Sequence, residues 1–495
     1  MQSPTITLAE QTSQYIDGAF VAGKGATFTV ENPADQAVIA TIAEVSVDQV
    51  GEAIDAARRA YDSGPWGKMT REERVTILRR YADALAKYAG DITDVVVAEA
   101  GCLRNSPIMF AQVPSPLQHA HDILDLMLAL PEMEENPLPL RERANAYGMV
   151  SQSMRRYTPI GVVAAIAAYN YPFMTALWKV MPALATGNTV ILRPSPLTPI
   201  SALFFAKAAE DAGLPAGVVN VVLEHGLEGA RLMTTHKSVD MVVFTGSTAV
   251  GKQVMIQAAD TMKRLQLELG GKSVQLYLPD SIDQAGNAAA TVCFAHSGQG
   301  CALGTRILVP EADKPAVLEA MKKSLANVVL GDTLDPKTTM GPVISAAQVA
   351  RCEHFVKLAT DAGAKVVAGG KRPAGIDKGY FFEPTVLDVA DNSNPAAQEE
   401  IFGPVVCVIG YRDLDHAVEI ANDSDYGLSG FIYGKDRAKA VEVATRIKSG
   451  TVNVNGGMLS AFASSGGQRL SGIGRERGIE GLRLYQQVCG LNIIA

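Results

Sequence analysis

Hydrophobic and polar residues alternate with a period of two in three short stretches near the start of the chain, residues 14–21, 27–30 and 38–43. Asp-Gly and Asn-Pro pairs, which favour turns, lie among these stretches. Alternation over so few residues, bounded by turns, predicts short strands.

The period then changes to that of a helix. Residues 46–62 begin with Ser, a frequent N-cap residue, and residues 70–90 begin with the Thr-x-x-Glu pattern of a capping box. We expect helices over both segments and a third over residues 91–101.

From residue 159 onward, fully apolar runs alternate with helical segments. The predicted strands are residues 161–167, 189–192, 218–222 and 241–244, and the predicted helices are residues 172–185, 201–212, 226–235 and 251–262. Strands that are apolar throughout are buried on both faces, as in a parallel sheet covered by helices. The fold class is therefore predicted to be α/β, with a doubly wound sheet.

A second alternating series runs from residue 273 to residue 454. Its predicted strands are residues 274–278, 306–309, 405–411, 430–433 and 450–454, and its helices are residues 314–326, 346–362 and 414–423. Residues 131–156 are polar and rich in proline, and we interpret them as an arm that leaves the main fold. Residues 485–494 look like a strand after the last helix.

Composition and charge exclude several classes of protein. At roughly 150 residues per domain, a chain of 495 residues should form two or three compact units. Hydrophobic residues make up 47%, which excludes a disordered chain, and the net charge of -8 gives no bias toward nucleic acid. The apolar runs are too short to cross a membrane, and residues 1–11 lack the pattern of a signal peptide. We expect a cytoplasmic protein with no nucleic-acid or membrane partner.

Six cysteines are scattered along the chain without a C-x-x-C pair, so neither a metal site nor a redox dithiol is expected. Cys301 differs from the rest because glycines precede it in Ser297-Gly-Gln-Gly-Cys301. It could lie where a loop meets a helix, and the helix dipole would then lower the thiol pKa. His296 raises the possibility of a Cys/His hydrolase, although nearness in sequence is weak support for such a dyad.

Two further motifs are each compatible with an ordinary structural role. Gly246 to Lys252 nearly matches the phosphate-binding P-loop, but Gln253 stands where that loop needs a hydroxyl for Mg²⁺. What remains is a glycine turn that could bind an anion at a helix N-terminus. Glu268 lies in an apolar run, so it is either a buried general base with a raised pKa or a surface residue at a strand edge.

Seven motifs in order along the chain resemble those of the NAD(P)-dependent aldehyde dehydrogenases of the non-acylating type. They are Ala168-Tyr-Asn-Tyr-Pro172, Arg193-Pro-Ser195, Phe244-Thr-Gly-Ser247, Glu268-Leu-Gly-Gly-Lys272, Gly298-Gln-Gly-Cys301, Glu399-Glu-Ile-Phe-Gly-Pro404 and Ser471-Gly-Ile-Gly-Arg-Glu476. The resemblance extends over nearly the whole chain.

The resemblance implies a catalytic role for five residues. Cys301 would be the nucleophile, and the Asn170 amide with the Cys301 N–H would stabilise the oxyanion. Glu268 would activate the water that hydrolyses the thioester, and Lys179 and Glu476 would carry its proton away.

The resemblance also implies an NAD site on the first α/β domain. Its residues would be Ile166, Arg193, Ser195, Gly229, Gly246, Ser247, Val250, Leu269, Glu400 and Phe402. Pro196 stands where the family usually has a glutamate that binds the adenosine ribose. NAD is therefore expected with NADP possible, and Arg193 could pair with a 2′-phosphate.

The expected substrate is an apolar aldehyde, aliphatic, terpenoid or aromatic. The residues matching the family's substrate tunnel are Tyr171, Phe173, Met174, Trp178, Met458, Leu459 and Phe462, and some of them could instead belong to the core. None of the seven is Lys or Arg. Ser464-Ser465 replaces the family's Pro-Phe and Asn453 replaces a common Trp, which changes the substrate side of the site.

By the same resemblance, residues 1–130 with 157–267 would form a Rossmann-like dinucleotide-binding domain and residues 268–465 the catalytic domain. Residues 131–156 with 482–495 would form a small β oligomerisation arm, giving a homo-oligomer with a tetramer favoured over a dimer. Two alternatives remain open. One is an enzyme that passes the acyl group to coenzyme A, and the other is a catalytically idle binding or structural protein.

Overall fold

The structure is a computed structural model that describes residues 13–144, 148–458 and 460–494. Residues 1–11, for which no signal peptide is expected, lie outside the described residues. Across the three described ranges, every helix is too short or too polar to span a bilayer.

The helices are α1 Val47–Asp62, α2 Arg71–Lys87, α3 Ala89–Ala100, α4 Pro107–Gln112, α5 Pro114–Ala129, α6 Leu140–Arg143, α7 Pro172–Ala185, α8 Leu203–Ala212, α9 Glu228–Thr235, α10 Thr248–Ala258, α11 Ala288–Phe294, α12 Lys314–Leu325, α13 Ala346–Asp361, α14 Pro395–Gln398, α15 Leu414–Asn422, α16 Arg437–Ala444 and α17 Gly478–Leu484. The strands are β1 Gln14–Ile16, β2 Ala19–Val21, β3 Thr27–Glu31, β4 Val38–Ala43, β5 Met133–Glu135, β6 Ser151–Pro159, β7 Val162–Ile166, β8 Thr189–Arg193, β9 Val219–Val221, β10 Met241–Thr245, β11 Arg264–Glu268, β12 Val274–Tyr277, β13 Arg306–Pro310, β14 Lys365–Ala368, β15 Thr385–Asp388, β16 Val405–Tyr411, β17 Ser429–Tyr433, β18 Thr451–Val454, β19 Gly472–Ile473 and β20 Gln486–Ile494.

The first sheet has eight strands in the order β19-β11-β10-β7-β8-β9-β1-β2. The five central strands are parallel, and the flanking strands are antiparallel to their neighbours. Because the chain order reverses between β7 and β10, a crevice forms at the carboxyl ends of these strands, where such sheets bind ligands. The predicted doubly wound sheet is confirmed.

Strand β7 illustrates why this sheet is covered on both faces. All five of its residues are buried. Val163 and Ala165 belong to the hydrophobic core on one face, and Val162, Ala164 and Ile166 belong to the core on the other. A strand with only apolar side chains is stable only where helices pack on both sides.

The second sheet has seven strands in the order β14-β15-β16-β13-β12-β17-β18. All pairs are parallel except β14 with β15. The chain passes from the first sheet to the second through residues 269–273, between β11 and β12.

A third sheet has three antiparallel strands in the order β20-β6-β5. Strand β20 pairs with β6 along nine residues and forms one edge of this sheet. Its apolar side chains include Val488 and Ile494, which are 59% and 64% exposed. Strand β6 ends at Pro159 and β7 begins at Val162, so the arm continues directly into the first sheet.

Local signals in the sequence account for several helix boundaries. Ser46 and Thr70 cap α1 and α2, and both capping boxes are present, as predicted for Thr70. The helix predicted over residues 251–262 begins earlier, at Thr248, with Ser247 as its N-cap. Gly251 therefore lies inside α10, where a Cβ atom would be 2.5 Å from the Leu269 side chain.

Candidate active site

The site forms where residues 269–273 cross from one sheet to the other. Glu268 is the last residue of β11, and Cys301 lies in the segment before β13. A Cβ atom on Gly271 would be 2.7 Å from the Cys301 carbonyl oxygen. The Glu268 segment is thus packed against the cysteine backbone.

The loop before Cys301 has an unusual backbone. His296, Ser297 and Gly298 all have positive φ, and the Ser297 hydroxyl donates to the Gly341 carbonyl over 2.7 Å. A Cβ atom on Gly298 would be 2.1 Å from the Gly403 carbonyl oxygen. Only glycine fits there, because the loop touches the segment that carries Glu400 and Phe402.

The expectation that a helix dipole lowers the pKa of Cys301 is wrong. Cys301 lies in a turn between a short 3-10 helix, His296–Gly298, and strand β13. Burial, together with the nearby carboxylates of Glu400, Glu268 and Glu476, raises the pKa of the thiol to about 12. A thiol in such surroundings stays protonated at neutral pH.

Asn170 lies beside the cysteine loop. Its side-chain amide donates to the Gln299 carbonyl over 2.9 Å, two residues before Cys301. Gln299 is held in turn, because its side chain donates to the His296 carbonyl and accepts from the Ile344 N–H. The buried Asn170 amide is therefore fixed against the loop that carries Cys301.

Glu268 is buried, which excludes the alternative that it is a surface residue at a strand edge. Among the described residues, no group forms a hydrogen bond with its Oε1 atom. Burial and the neighbouring Glu476 carboxylate raise its pKa well above the usual range. A Cβ atom on Gly466 would be 2.9 Å from Oε1, so the glycine keeps space open at this oxygen.

A buried ion pair lies close to Glu268. The Lys179 ammonium contacts Glu476 Oε1 at 2.7 Å and donates to Thr245 Oγ1 over 2.6 Å. Glu476 raises the pKa of Glu268, whereas Lys179 and Arg475 lower it. Glu268 and the Lys179–Glu476 ion pair are thus electrostatic neighbours in the interior.

Hydrogen bonds position Glu400 and Phe402 on the side of the site that faces the second sheet. Glu400 Oε1 accepts the Gly271 N–H over 2.9 Å, and the Arg351 guanidinium donates to the Glu400 carbonyl. Gln348 donates to the Phe402 carbonyl over 2.7 Å, which supports the positive φ of Phe402. Burial raises the pKa of Glu400.

The other predicted cofactor residues follow the carboxyl ends of the first sheet's strands. Ile166 and Arg193 are the last residues of β7 and β8. Ser195 follows β8, Gly246 and Ser247 follow β10, and Leu269 follows β11. Gly229 and Val250 lie in the first turns of α9 and α10. Ser247 and Val250 are exposed at the start of an eleven-residue helix, as an anion site requires. A Cβ on Gly246 would be 2.4 Å from the Phe244 ring, so a larger residue would displace that ring. These residues fit a dinucleotide.

The seven predicted tunnel residues are only partly together. Met174 and Trp178 are buried on α7, and the Tyr171 ring lies 5.8 Å from the His296 ring. Phe173 instead packs in the core, with its ring 5.1 Å from Phe205. Met458 and Phe462 are exposed, and Leu459 lies outside the described residues.

Arg477 is a residue of this region that the sequence analysis missed. Its guanidinium lies 4.8 Å from the centre of the Trp178 ring. It donates to Ser465 Oγ and to the Ser460 carbonyl, each over 3.1 Å. Ser465 stands where the family has Phe. This substitution is the feature of the sequence that could have pointed to Arg477, which contacts Ser465 in the fold.

His296 does not have the surroundings of a general base for Cys301. Burial lowers its pKa to about 4, and in the described part of the chain its Nε2 atom has no hydrogen-bond partner. Its ring packs against Tyr171. A Cys/His hydrolase is therefore not supported.

Comparisons with known proteins agree with the geometry. The sequence profile of the aldehyde dehydrogenase family matches residues 20–489. The chain is 35% identical to a betaine aldehyde dehydrogenase of Bacillus subtilis, covering 96% of each chain, and 34% identical to a putative aldehyde dehydrogenase, DhaS, of the same organism, covering 96% of this chain and 94% of the relative.

Solved structures give the same result. A cysteine-to-alanine mutant of aldehyde dehydrogenase C from Pseudomonas syringae, in complex with NAD+ and octanal, superposes with a TM-score of 0.92 at 34% identity, covering 99% of this chain and 98% of that one. The NAD+ complex of an aldehyde dehydrogenase from Bacillus cereus superposes with a TM-score of 0.91 at 33% identity, covering 97% and 96%.

The raised pKa of Cys301 predicts how this thiol reacts with iodoacetamide. Only the thiolate is alkylated, so below the pKa the rate should rise about tenfold for each pH unit. We expect the rate at Cys301 to keep rising from pH 7 to pH 10 without a plateau. Fragment-ion mass spectrometry can separate Cys301 from Cys293, and Cys301→Ala is the control. A plateau below pH 9 would contradict the electrostatic account.

Proposed function

The chain belongs to the aldehyde dehydrogenase family, and we propose that it oxidises apolar aldehydes, aliphatic, terpenoid or aromatic, to carboxylic acids with NAD. The observation that carries the proposal is the convergence of three groups at the crossing between the sheets. Asn170 binds the loop of Cys301, and the Glu268 segment packs against the Cys301 backbone. Each group has the chemistry that thiol-based aldehyde oxidation requires.

Cys301 would begin the reaction by losing its proton to solvent and forming a bond from Sγ to the aldehyde carbon. The carbonyl oxygen then becomes an oxyanion, which the Asn170 amide and the Cys301 N–H would stabilise. Removing one such donor typically lowers the rate about 100- to 1000-fold. Bound NAD supplies the acceptor for the hydride that leaves this carbon, so that Cys301 then carries a thioester.

Glu268 would remove a proton from the water that hydrolyses the thioester. Its Oε1 atom has no hydrogen-bond partner among the described residues, and its raised pKa makes the ionised carboxylate a stronger base than a solvent-exposed one. The Glu476 carboxylate would accept the proton next, because it neighbours Glu268 and is ionised in its pair with Lys179.

The nucleotide would lie along the carboxyl ends of the first sheet. Ser247 and the N-terminus of α10 would bind the pyrophosphate, and Glu400 would bind the nicotinamide ribose. The Gly271 N–H holds the Glu400 carboxylate in a fixed position. Phe402 would contact the nicotinamide.

The buried Met174 and Trp178 support an apolar substrate. Arg477 places a positive charge against Trp178, but Ser465 and Ser460 accept hydrogen bonds from its guanidinium. We therefore assign Arg477 to holding the loop of residues 460–465, and we assign the aldehyde to the apolar side chains of α7.

A coenzyme A-acylating enzyme is the second candidate, and the buried Glu268 argues against it. Hydrolysis of the thioester requires a base, whereas transfer to a thiol such as coenzyme A does not depend on water activation. Adding coenzyme A should therefore leave the rate of NADH formation unchanged. The presence of Cys301, Asn170 and Glu268 together also argues against an idle binding protein.

We further propose that the protein is a homo-oligomer, with a tetramer favoured over a dimer. Strand β20 leaves an open sheet edge and exposed apolar side chains, such as Val488 and Ile494. Unpaired edges of this kind favour association with another chain. A second copy could extend the three-stranded sheet across this edge. The cytoplasmic location stays an expectation from the sequence.

Glu268→Gln tests the proposed division of roles. The variant should still form the thioester and release a burst of NADH, and kcat should then fall at least about 100-fold because hydrolysis lacks its base. Cys301→Ala should give no burst, and the exposed Glu419→Gln should behave like the wild type. Stopped-flow absorbance at the NADH band measures the burst. A Glu268→Gln variant without a burst would mean that Glu268 acts before the thioester forms.

A panel of aldehydes tests the substrate class. We expect kcat/KM for octanal or benzaldehyde to exceed that for succinic semialdehyde by at least about 100-fold, because a carboxylate would be desolvated among apolar side chains. Met174→Ala should lower kcat/KM for octanal roughly tenfold or more and change acetaldehyde little. Met262→Ala, at a position that is 91% exposed, is the control. A preference for the semialdehyde would contradict the apolar proposal.

Light scattering tests the assembly. At micromolar concentration the intact protein should have four times the 52.4 kDa chain mass. Deleting residues 489–495, of which Ala495 lies outside the described residues, should lower the mass because β20 loses most of its pairing with β6. A monomer mass for the intact protein would contradict the oligomer.

A further inference from the structure

A buried carboxylate lies among the residues assigned to the adenosine end of the nucleotide. Arg193 ends β8, Glu224 follows β9, and Gly229 lies in the first turn of α9. All three are at the carboxyl-terminal edge of the parallel strands, where the nucleotide is proposed to bind. The proposed function gives Glu224 no role.

The Glu224 carboxylate accepts hydrogen bonds from the anion-binding groups around it, so these groups are already occupied. Its Oε2 atom accepts from Arg193 Nε and from the Ala230 N–H, each over 3.0 Å. Its Oε1 atom accepts the Gly229 N–H over 2.5 Å. Arg193 Nη2 donates to the Gly226 carbonyl over 2.8 Å. The Arg193 and Glu224 side chains are 7% and 5% exposed, so the pair is fixed in the interior.

A 2′-phosphate binds to groups of this kind. It is an anion that proteins hold with an arginine and with backbone N–H groups at a helix N-terminus. Here Glu224 already occupies both the guanidinium and the start of α9. A phosphate would also meet a carboxylate in a region of low dielectric, where repulsion between like charges is strong. The 2′-hydroxyl of NAD carries no charge and is free of this repulsion.

Pro196 cannot provide this discrimination, because it has neither a carboxylate nor a backbone N–H. We propose that Glu224 is the residue that makes this protein prefer NAD to NADP, by occupying the Arg193 guanidinium and the N-terminus of α9. The inference rests on the proposed nucleotide site. It replaces the expectation that Arg193 is free to pair with a 2′-phosphate.

The test compares the two nucleotides in Glu224 variants. Glu224→Ala frees Arg193 and two N–H groups, so the NADPH-to-NADH affinity ratio should rise at least tenfold. Glu224→Gln retains the shape and removes the charge, and the ratio should rise by a smaller factor. Fluorescence titration with NADH and NADPH measures both affinities without any aldehyde. The ratio of kcat/KM for NADP and NAD should move in the same direction.

Two further variants make the result specific. Glu228→Gln removes an exposed carboxylate from the same end of α9 and should leave the ratio at the wild-type value. Adding Arg193→Met to Glu224→Ala should abolish the gain in NADPH affinity. If the wild type binds NADH and oxidises aldehydes while both folded Glu224 variants keep its ratio, this inference is overturned and the proposed function stands. A Glu224→Gln variant that folds, judged by circular dichroism, keeps the test decisive if Glu224→Ala does not fold.

Discussion

The close approach of two loops across the gap between the sheets is the constraint on which the site depends. A Cβ atom on Gly270 would be 2.2 Å from Glu400 Oε2, and one on Gly271 would be 2.7 Å from the Cys301 carbonyl. A larger residue at Gly270 would displace the Glu400 carboxylate, and one at Gly271 would collide with the backbone of the Cys301 loop. Cys301, Glu268 and Glu400 come from different parts of the fold, and these two glycines allow the segments that carry them to approach closely.

The close approach also explains the electrostatics of the site. Bringing the loops together places Glu268, Glu400 and Glu476 close enough to the Cys301 thiol to raise its pKa. Lys179 pairs with Glu476, and the buried Lys272 lies near Glu400. Negative neighbours and burial both favour the neutral forms of a thiol and a carboxylic acid. The same packing therefore favours the protonated forms of both Cys301 and Glu268 in the free protein. In the proposed reaction Cys301 would lose its proton, whereas Glu268 would have to be ionised before it accepts a proton from water. The Glu476 carboxylate, paired with Lys179, could receive that proton next.

The sequence could predict the parts of the fold that depend on local patterns. The apolar run of β7 and the capping box at Thr70 are visible in the residues themselves. Helices α4 and α5 were not predicted from the sequence, because prolines occur at and near their starts and proline more often indicates a turn. The domain boundaries stay a prediction.

The catalytic and cofactor residues were assigned from the family resemblance, because no single motif identifies them. Contacts that depend on the tertiary structure could not be assigned in this way. Arg477 reaches Ser465 and Trp178, and Arg193 reaches Glu224, across separations in sequence that no periodicity links. The thiol pKa was predicted in the wrong direction for the same reason, since the three carboxylates come from distant segments.

The positive φ angles of His296 and Ser297 have a consequence for the effect of substitutions in this loop. A residue other than glycine in this conformation costs roughly 1–3 kcal/mol, and two such residues precede Gly298 just before the nucleophile. Glycine at either position would relieve the strain and make the folded backbone easier to form. It would also let the loop sample other shapes, and the hydrogen bonds of Ser297 and Gln299 would no longer have a single geometry to hold. In this loop we therefore expect a substitution that relieves backbone strain to loosen the position of Cys301.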